Sequence, residues 1–158
     1  MTRLPSRVAL PEEKRETMVK HLNTALAMSI DLSLQVKQAH WNIKGPQFFA
    51  RHELFDKLAV HLRETSDKLA ERAATLGGYA EGTVKLCAER SELPEYDLRA
   101  RDGRQHIMAL VDRYARYTAF LRDTMEATEV DPVSQDLVIE TLRTAELDQW
   151  FLESHINV

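Results

Sequence analysis

Four long segments repeat apolar residues every three or four positions, and this spacing limits the fold more than any other feature. The first two segments cover residues 11 to about 41 and about 47 to 76. The other two cover about 102–128 and 131 to about 155. Apolar residues at this spacing form one stripe along an α-helix. Each segment is therefore predicted to be a long helix with one buried face.

The residues between these segments are typical of helix ends. Pro11 stands before two glutamates, Gly77-Gly78 follows the second segment, and Asp131-Pro132 opens the fourth. Proline and acidic residues favour the first turn of a helix, and glycine favours the position after its end. With only five glycines and five prolines, the chain has few other breaks. The fold class predicted is all-α.

Connection lengths predict how the helices are arranged. The short turn over residues 42–46 makes the first two helices antiparallel, whereas residues 79–101 form a long connection with a short helix expected over 88–93. Such a crossover joins parallel neighbours in a four-helix bundle. We expect residues 11–158 to form this one domain, after a flexible N-terminal tail over residues 1–10.

Charge and cysteine content limit the functional classes. The net charge of −4 suits cations better than nucleic acid, and the single cysteine, Cys87, cannot form an internal disulfide. No apolar run approaches the roughly 18 residues of a membrane span, and residues 1–16 lack the apolar core of a signal peptide. A cytoplasmic protein without membrane contact is expected.

The second predicted helix carries two pairs of metal-binding residue types. The two members of each pair lie one turn apart. His52 and Asp56 form one pair, Asp67 and Glu71 form the other, and His40 stands at the end of the first helix. Two carboxylates four residues apart repel each other by roughly 0.2–0.5 kcal/mol. A bound cation would reverse the sign of this interaction.

The two pairs share a face of the helix but cannot share a metal within one chain. Asp56 and Asp67 are 11 residues apart, which corresponds to about 20° of rotation and a rise of about 16 Å. A second copy of the helix, related by a two-fold axis near His61 and Leu62, would place the two pairs opposite each other. The sequence therefore predicts two identical sites per dimer, with His40 joining His52.

A metal site inside one bundle is the alternative. It would use two Glu-x-x-His motifs, but none of the six histidines has a glutamate three residues before it. Imidazole and carboxylate ligands suit Fe(II), and zinc or manganese can substitute for it.

Several motifs resemble the signature of the Dps family, DNA-binding proteins from starved cells. They are HWNIKGPQF at residues 40–48, His52 and Asp56, DKLAER at 67–72, LG at 76–77 and LDQWFLES at 147–154. The resemblance implies a ferritin-like four-helix bundle, assembled from two-fold dimers into a hollow dodecamer. It implies oxidation of Fe(II), preferably with hydrogen peroxide, storage of ferric mineral and protection against oxidative stress. It further implies up to two iron ions in each site between subunits, and it makes five residues the ferroxidase ligands: His40, His52, Asp56, Asp67 and Glu71.

Each of these residues also has an ordinary structural interpretation. His52 or Asp56 alone is more often a solvated helix residue than a ligand, and Asp67 could pair with Arg63. Trp41 either packs at a helix end or serves as an electron relay beside the site. Asp131 and Asp136 either line an acidic entry pore or belong to a solvated loop with a helix cap. Trp150 and Phe151 are expected in the core.

DNA binding is the weakest expectation. Before Pro11 the sequence offers only Arg3 and Arg7 as basic residues, and a shell of such acidic chains would repel phosphate. DNA binding is expected to be weak or absent at physiological salt. A DNA-compacting structural protein with little iron turnover remains the alternative function, and a helical metal-binding module without turnover is a third.

Overall fold

The structure is a computed structural model that describes residues 4–156, and none of these residues lies in a strand. Five helices make up this part of the chain. They are α1 (Glu12–Asn42), α2 (Phe48–Thr75), α3 (Val84–Arg90), α4 (Gly103–Ala127) and α5 (Pro132–Glu153). The predicted all-α fold class is confirmed, and the four long helices begin and end within about two residues of the predicted positions.

The long helices form two antiparallel pairs, α1 with α2 and α4 with α5. The tight turn between α1 and α2 passes through Gly45 at φ 92° and Gln47 at φ 61°. Both α2 and α4 pack on α1, and α5 packs on α2 and α4. Because α2 and α4 occupy opposite corners of the bundle, the predicted crossover between parallel neighbours is wrong in one respect. The two helices run in the same direction but lie diagonally.

The short helix of the crossover lies earlier in the sequence than predicted. It covers Val84–Arg90 rather than residues 88–93, and the Thr83 side chain caps it by accepting a hydrogen bond from the Leu86 amide. A threonine cap is a local signal that the apolar spacing of residues 88–93 does not contain. The helix packs on α1 and buries Cys87.

The buried face of α5 differs from the prediction at one position. Trp150 is 58% exposed, so its assignment to the core is wrong for the single chain, whereas Phe151 is partly buried. The buried positions of this helix include Ala145, Asp148 and Leu152. Trp150 lies about half a turn around the helix from this line, while a carboxylate occupies the line itself.

Residues 4–6 lie against the end of α2. The Leu4 amide donates to the Gly77 carbonyl over 2.9 Å, and the Ser6 hydroxyl donates to the Thr75 carbonyl over 2.9 Å. Flexibility of a tail over residues 1–10 stays a prediction, and residues 1–3 lie outside the described part. Across residues 4–156, no helix is both long and apolar enough to cross a membrane.

Candidate metal centre

His40 and His52 lie together where α1 ends and α2 begins. Their rings stack with centroids 3.7 Å apart and planes 22° apart. His40 Nδ1 lies 2.9 Å from the His52 carbonyl oxygen, and His52 Nδ1 lies 3.0 Å from the His40 carbonyl oxygen. The turn between the helices thus brings the first two predicted ligands together, as the sequence indicates.

These reciprocal contacts determine which ring nitrogen is free. A carbonyl oxygen only accepts, so each Nδ1 must carry the proton and donate it. Each neutral ring then keeps its lone pair on Nε2. A histidine that donates one N–H to a carbonyl and binds metal through its other nitrogen is the usual arrangement in metal sites. Both imidazoles therefore leave Nε2 available for a metal ion.

Asp56 lies one turn after His52 and is held by a lysine of α1. Lys37 Nζ donates to Asp56 Oδ1 over 2.7 Å, and this hydrogen bond is the main reason why the pKa of Asp56 lies below its ordinary value. The same ammonium lies 5.8 Å from the ring centroid of Trp41, whose side chain is 65% exposed. An internal cation thus occupies one face of the predicted ligand.

Asp67 and Glu71 form a second patch further along α2. Both residues are exposed, and neither carboxylate has an ion pair or hydrogen bond within residues 4–156. The alternative ion pair between Asp67 and Arg63 is not observed in that range. Two like charges one turn apart therefore face solvent without a compensating cation, an arrangement that favours binding of one.

The five predicted residues thus form two separate half-sites, which we name the histidine half-site (His40, His52 and Asp56) and the carboxylate half-site (Asp67 and Glu71). Among residues 4–156, no three histidine, cysteine or acidic side chains are close enough to hold a metal ion together. The helical rise separates the half-sites by about 16 Å. One chain cannot use both for the same ion.

Asp131 and Asp136 differ in their surroundings. Asp131 is buried, and its Oδ2 accepts hydrogen bonds from the Arg72 guanidinium over 2.7 Å and from the Ser134 hydroxyl. Burial by itself would raise the pKa of Asp131, but these hydrogen bonds outweigh it and hold the pKa below the ordinary value. The carboxylate is thus used within the chain, whereas Asp136 is exposed. A role for either residue in an entry pore stays a prediction.

The contact between His61 and Asp148 is one of the polar contacts that could not be predicted from the sequence. His61 Nδ1 lies 2.9 Å and 3.1 Å from the two carboxylate oxygens of Asp148. Burial raises the pKa of Asp148, and the hydrogen bond from His61 opposes this shift in part. The available signal was a carboxylate on the apolar stripe of α5, since a buried charge requires a partner.

Known proteins with similar sequences and structures agree with this fold. A family model described as a ferritin-like domain matches residues 19–158. The DNA protection during starvation protein of Agrobacterium fabrum is 36% identical over 150 residues, which cover 94% of this chain and 93% of that protein.

Solved structures are similar over the whole chain. DpsA14 from Streptomyces coelicolor has a TM-score of 0.95 at 31% identity and covers 100% of this chain and 95% of its own. Mycobacterium smegmatis Dps has a TM-score of 0.92 at 31% identity, and the match covers 100% of this chain and 94% of that one. The sequence motifs, the diagonal four-helix bundle and these relatives together show that the chain belongs to the Dps family of the ferritin-like superfamily.

Proposed function

We propose that this protein is a subunit of a hollow shell that oxidises Fe(II), preferably with hydrogen peroxide, and stores the ferric product. The observation that carries the proposal is the division of the metal-binding groups into two half-sites. One half-site offers two oriented imidazole nitrogens and Asp56, and the other offers two carboxylates without partners. Each set is incomplete alone, and each supplies what the other lacks.

A two-fold dimer completes the sites. If two α2 helices pack antiparallel, the histidine half-site of one subunit faces the carboxylate half-site of the other, and each dimer has two sites. Family membership supports assembly of such dimers into a dodecamer. It also supports a cytoplasmic role in protection from oxidative stress, in which Fe(II) is removed before it reacts elsewhere.

The electrons of the proposed reaction balance. Each Fe(II) supplies one electron, and hydrogen peroxide takes up two electrons and two protons to give two water molecules. A site that holds up to two iron ions therefore matches one peroxide molecule. The five proposed ligands bind Fe(II) as substrate through nitrogen and oxygen, a set that zinc or manganese can also occupy.

Lys37 is expected to weaken metal binding, because its ammonium must leave Asp56 before a metal ion can use that oxygen. Replacing Lys37 by glutamine should strengthen the binding of Co(II), measured by calorimetry without oxidant, by several-fold. A partly exposed ion pair is worth up to about 1 kcal/mol, which corresponds to a factor of roughly five. Lys57→Gln is the matched control, because Lys57 is an exposed lysine on α2 that makes no ion pair among the described residues. Equal or weaker binding by the Lys37 variant would show that the ammonium does not compete with metal.

DNA compaction is the second candidate function, and it is favoured by similarity to DNA protection during starvation proteins. The acidic net charge of −4 opposes it, since binding to phosphate depends on basic groups and falls with salt. A gel shift at low and at physiological salt separates the two functions. We expect any retardation of DNA to disappear at the higher salt concentration.

Stopped-flow absorbance tests the proposed activity. Fe(II) mixed anaerobically with the protein and then with half an equivalent of hydrogen peroxide should be oxidised much faster than Fe(II) with dioxygen. The protein should remain soluble with its iron. Oxidation no faster than in buffer would contradict the ferroxidase proposal and leave a metal-binding module without turnover.

A further inference from the structure

A cavity of about 270 Å³ lies between α2 and α5, away from both half-sites. Its polar lining includes His61, Glu64 and Lys68 of α2 and Glu140 of α5. His61 follows Asp56 by five residues, which places it about 140° around the helix from the histidine half-site. The cavity thus opens on another side of α2 and takes no part in the proposed ferroxidase site.

His61 is oriented for metal binding by a buried carboxylate. Asp148 is 1% exposed, and both of its oxygens lie within hydrogen-bond distance of His61 Nδ1. The proton is therefore on Nδ1, and Nε2 remains free on a side chain that lines the cavity. In many metal sites a carboxylate accepts a hydrogen bond from the histidine that binds the metal ion. The carboxylate fixes the orientation of the ring and makes the histidine a stronger ligand.

A cation already occupies the place where a metal ion would meet the glutamates. Lys68 Nζ lies 2.7 Å from Glu140 Oε1, and the pKa of Lys68 is raised first by this hydrogen bond and also by the charge of Glu64. About half of each side chain of the Lys68–Glu140 pair is exposed. A pair of this kind is weak and readily exchanged.

The same arrangement recurs at the histidine half-site. There the rings of His40 and His52 each have a free Nε2, and a neighbouring carboxylate, Asp56, is held by Lys37. At both places a lysine ammonium neutralises a carboxylate, which lies one turn from the oriented imidazole at the half-site, whereas in the cavity the lysine lies about two turns along α2 from His61. The cavity repeats this combination with groups from one chain only.

We propose that His61, Glu64 and Glu140 form a second binding site for a divalent transition-metal ion, with one site in each chain. Lys68 is the internal cation that the metal displaces. The three side chains are not gathered around a common point in the structure, so both glutamates must turn towards His61 Nε2 when Lys68 leaves. Both are exposed and have the rotational freedom to do so. A nitrogen ligand with two oxygen ligands suits Fe(II), Co(II) or Zn(II).

Co(II) binding to the assembled protein tests the proposal, because Co(II) resists oxidation and its visible spectrum reports its ligands. A parent variant with His40→Ala, His52→Ala, Asp67→Ala and Glu71→Ala removes both imidazoles of the ferroxidase site and its carboxylate half-site. Calorimetry should still find about one Co(II) per chain in this parent, and adding His61→Ala should abolish it. Adding Lys68→Gln should instead tighten binding several-fold.

Controls separate ligand loss from misfolding. His61→Ala leaves Asp148 buried without its partner and can destabilise the bundle, so Glu64→Gln with Glu140→Gln serves as a surface variant that should weaken binding at least tenfold. His21→Ala removes a partly buried histidine of α1 and should change nothing. The proposal is overturned if the parent binds no Co(II), or if neither the glutamine pair nor Lys68→Gln alters the affinity. Because the parent lacks the ferroxidase imidazoles, the result does not depend on whether Fe(II) oxidation occurs.

Discussion

Replacing His52 or Asp67 by alanine is expected to lower the rate of peroxide-dependent Fe(II) oxidation at least about tenfold, and up to a hundredfold or more. Removing a residue that only orients a metal ligand typically costs 10- to 100-fold in affinity or activity, and removing a ligand should cost no less. Stopped-flow absorbance at a fixed ratio of Fe(II) to peroxide measures the loss.

Helix content and particle mass should stay close to those of the unmodified protein. Asp67 is exposed and has no side-chain partner within residues 4–156, so its removal breaks no contact of the bundle. Asp123→Ala, at an exposed position of α4, and His21→Ala are matched controls and should keep the full rate. Normal oxidation rates in both the His52 and the Asp67 variants would contradict the assignment of the site.

Local sequence patterns were sufficient to predict the helices, because the buried face of a helix is formed by residues three and four positions apart. The four long helices could be predicted in this way, together with the tight turn between α1 and α2. The diagonal placement of α2 and α4 could not, since it depends on how four stripes pack at once. Trp150 was misplaced because its stripe was judged by hydrophobicity, whereas Asp148 occupies the buried line of α5.

In the candidate site, too, residues close in sequence could be predicted, whereas contacts between residues far apart in sequence could not. The pairs His52 with Asp56 and Asp67 with Glu71 could be recognised from spacing alone, and the short turn after the first helix placed His40 beside His52. Contacts between distant positions could not be foreseen. They include the bond from Lys37 to Asp56, and that from His61 to Asp148, which joins residues 87 positions apart in sequence. Each becomes visible only when two helices are placed side by side.

The central claim is that the ferroxidase site is divided between two subunits, and two inactive variants can test it together. One variant carries His40→Ala, His52→Ala and Asp56→Ala and lacks the histidine half-site. The other carries Asp67→Ala and Glu71→Ala and lacks the carboxylate half-site. A shell made of either variant alone should be nearly inactive, because every site in it lacks one half.

Mixed dimers should regain part of the activity. In a dimer of the two variants, one site lacks both halves, and the other has a complete histidine half-site from one subunit and a complete carboxylate half-site from its partner. Random reassembly of equal amounts makes half of the dimers mixed, and each has one intact site out of two. About a quarter of the activity of the unmodified protein should therefore return.

The decisive measurement is the rate of Fe(II) oxidation after the two variants are dissociated, mixed in equal amounts and reassembled, with mass spectrometry to verify mixed dimers. The shared site predicts a rate about a quarter of that of the unmodified shell, while each variant reassembled alone stays inactive. If mixed dimers are present and the rate does not rise above that of the separate variants, the ligands do not meet across the interface, and the account is contradicted.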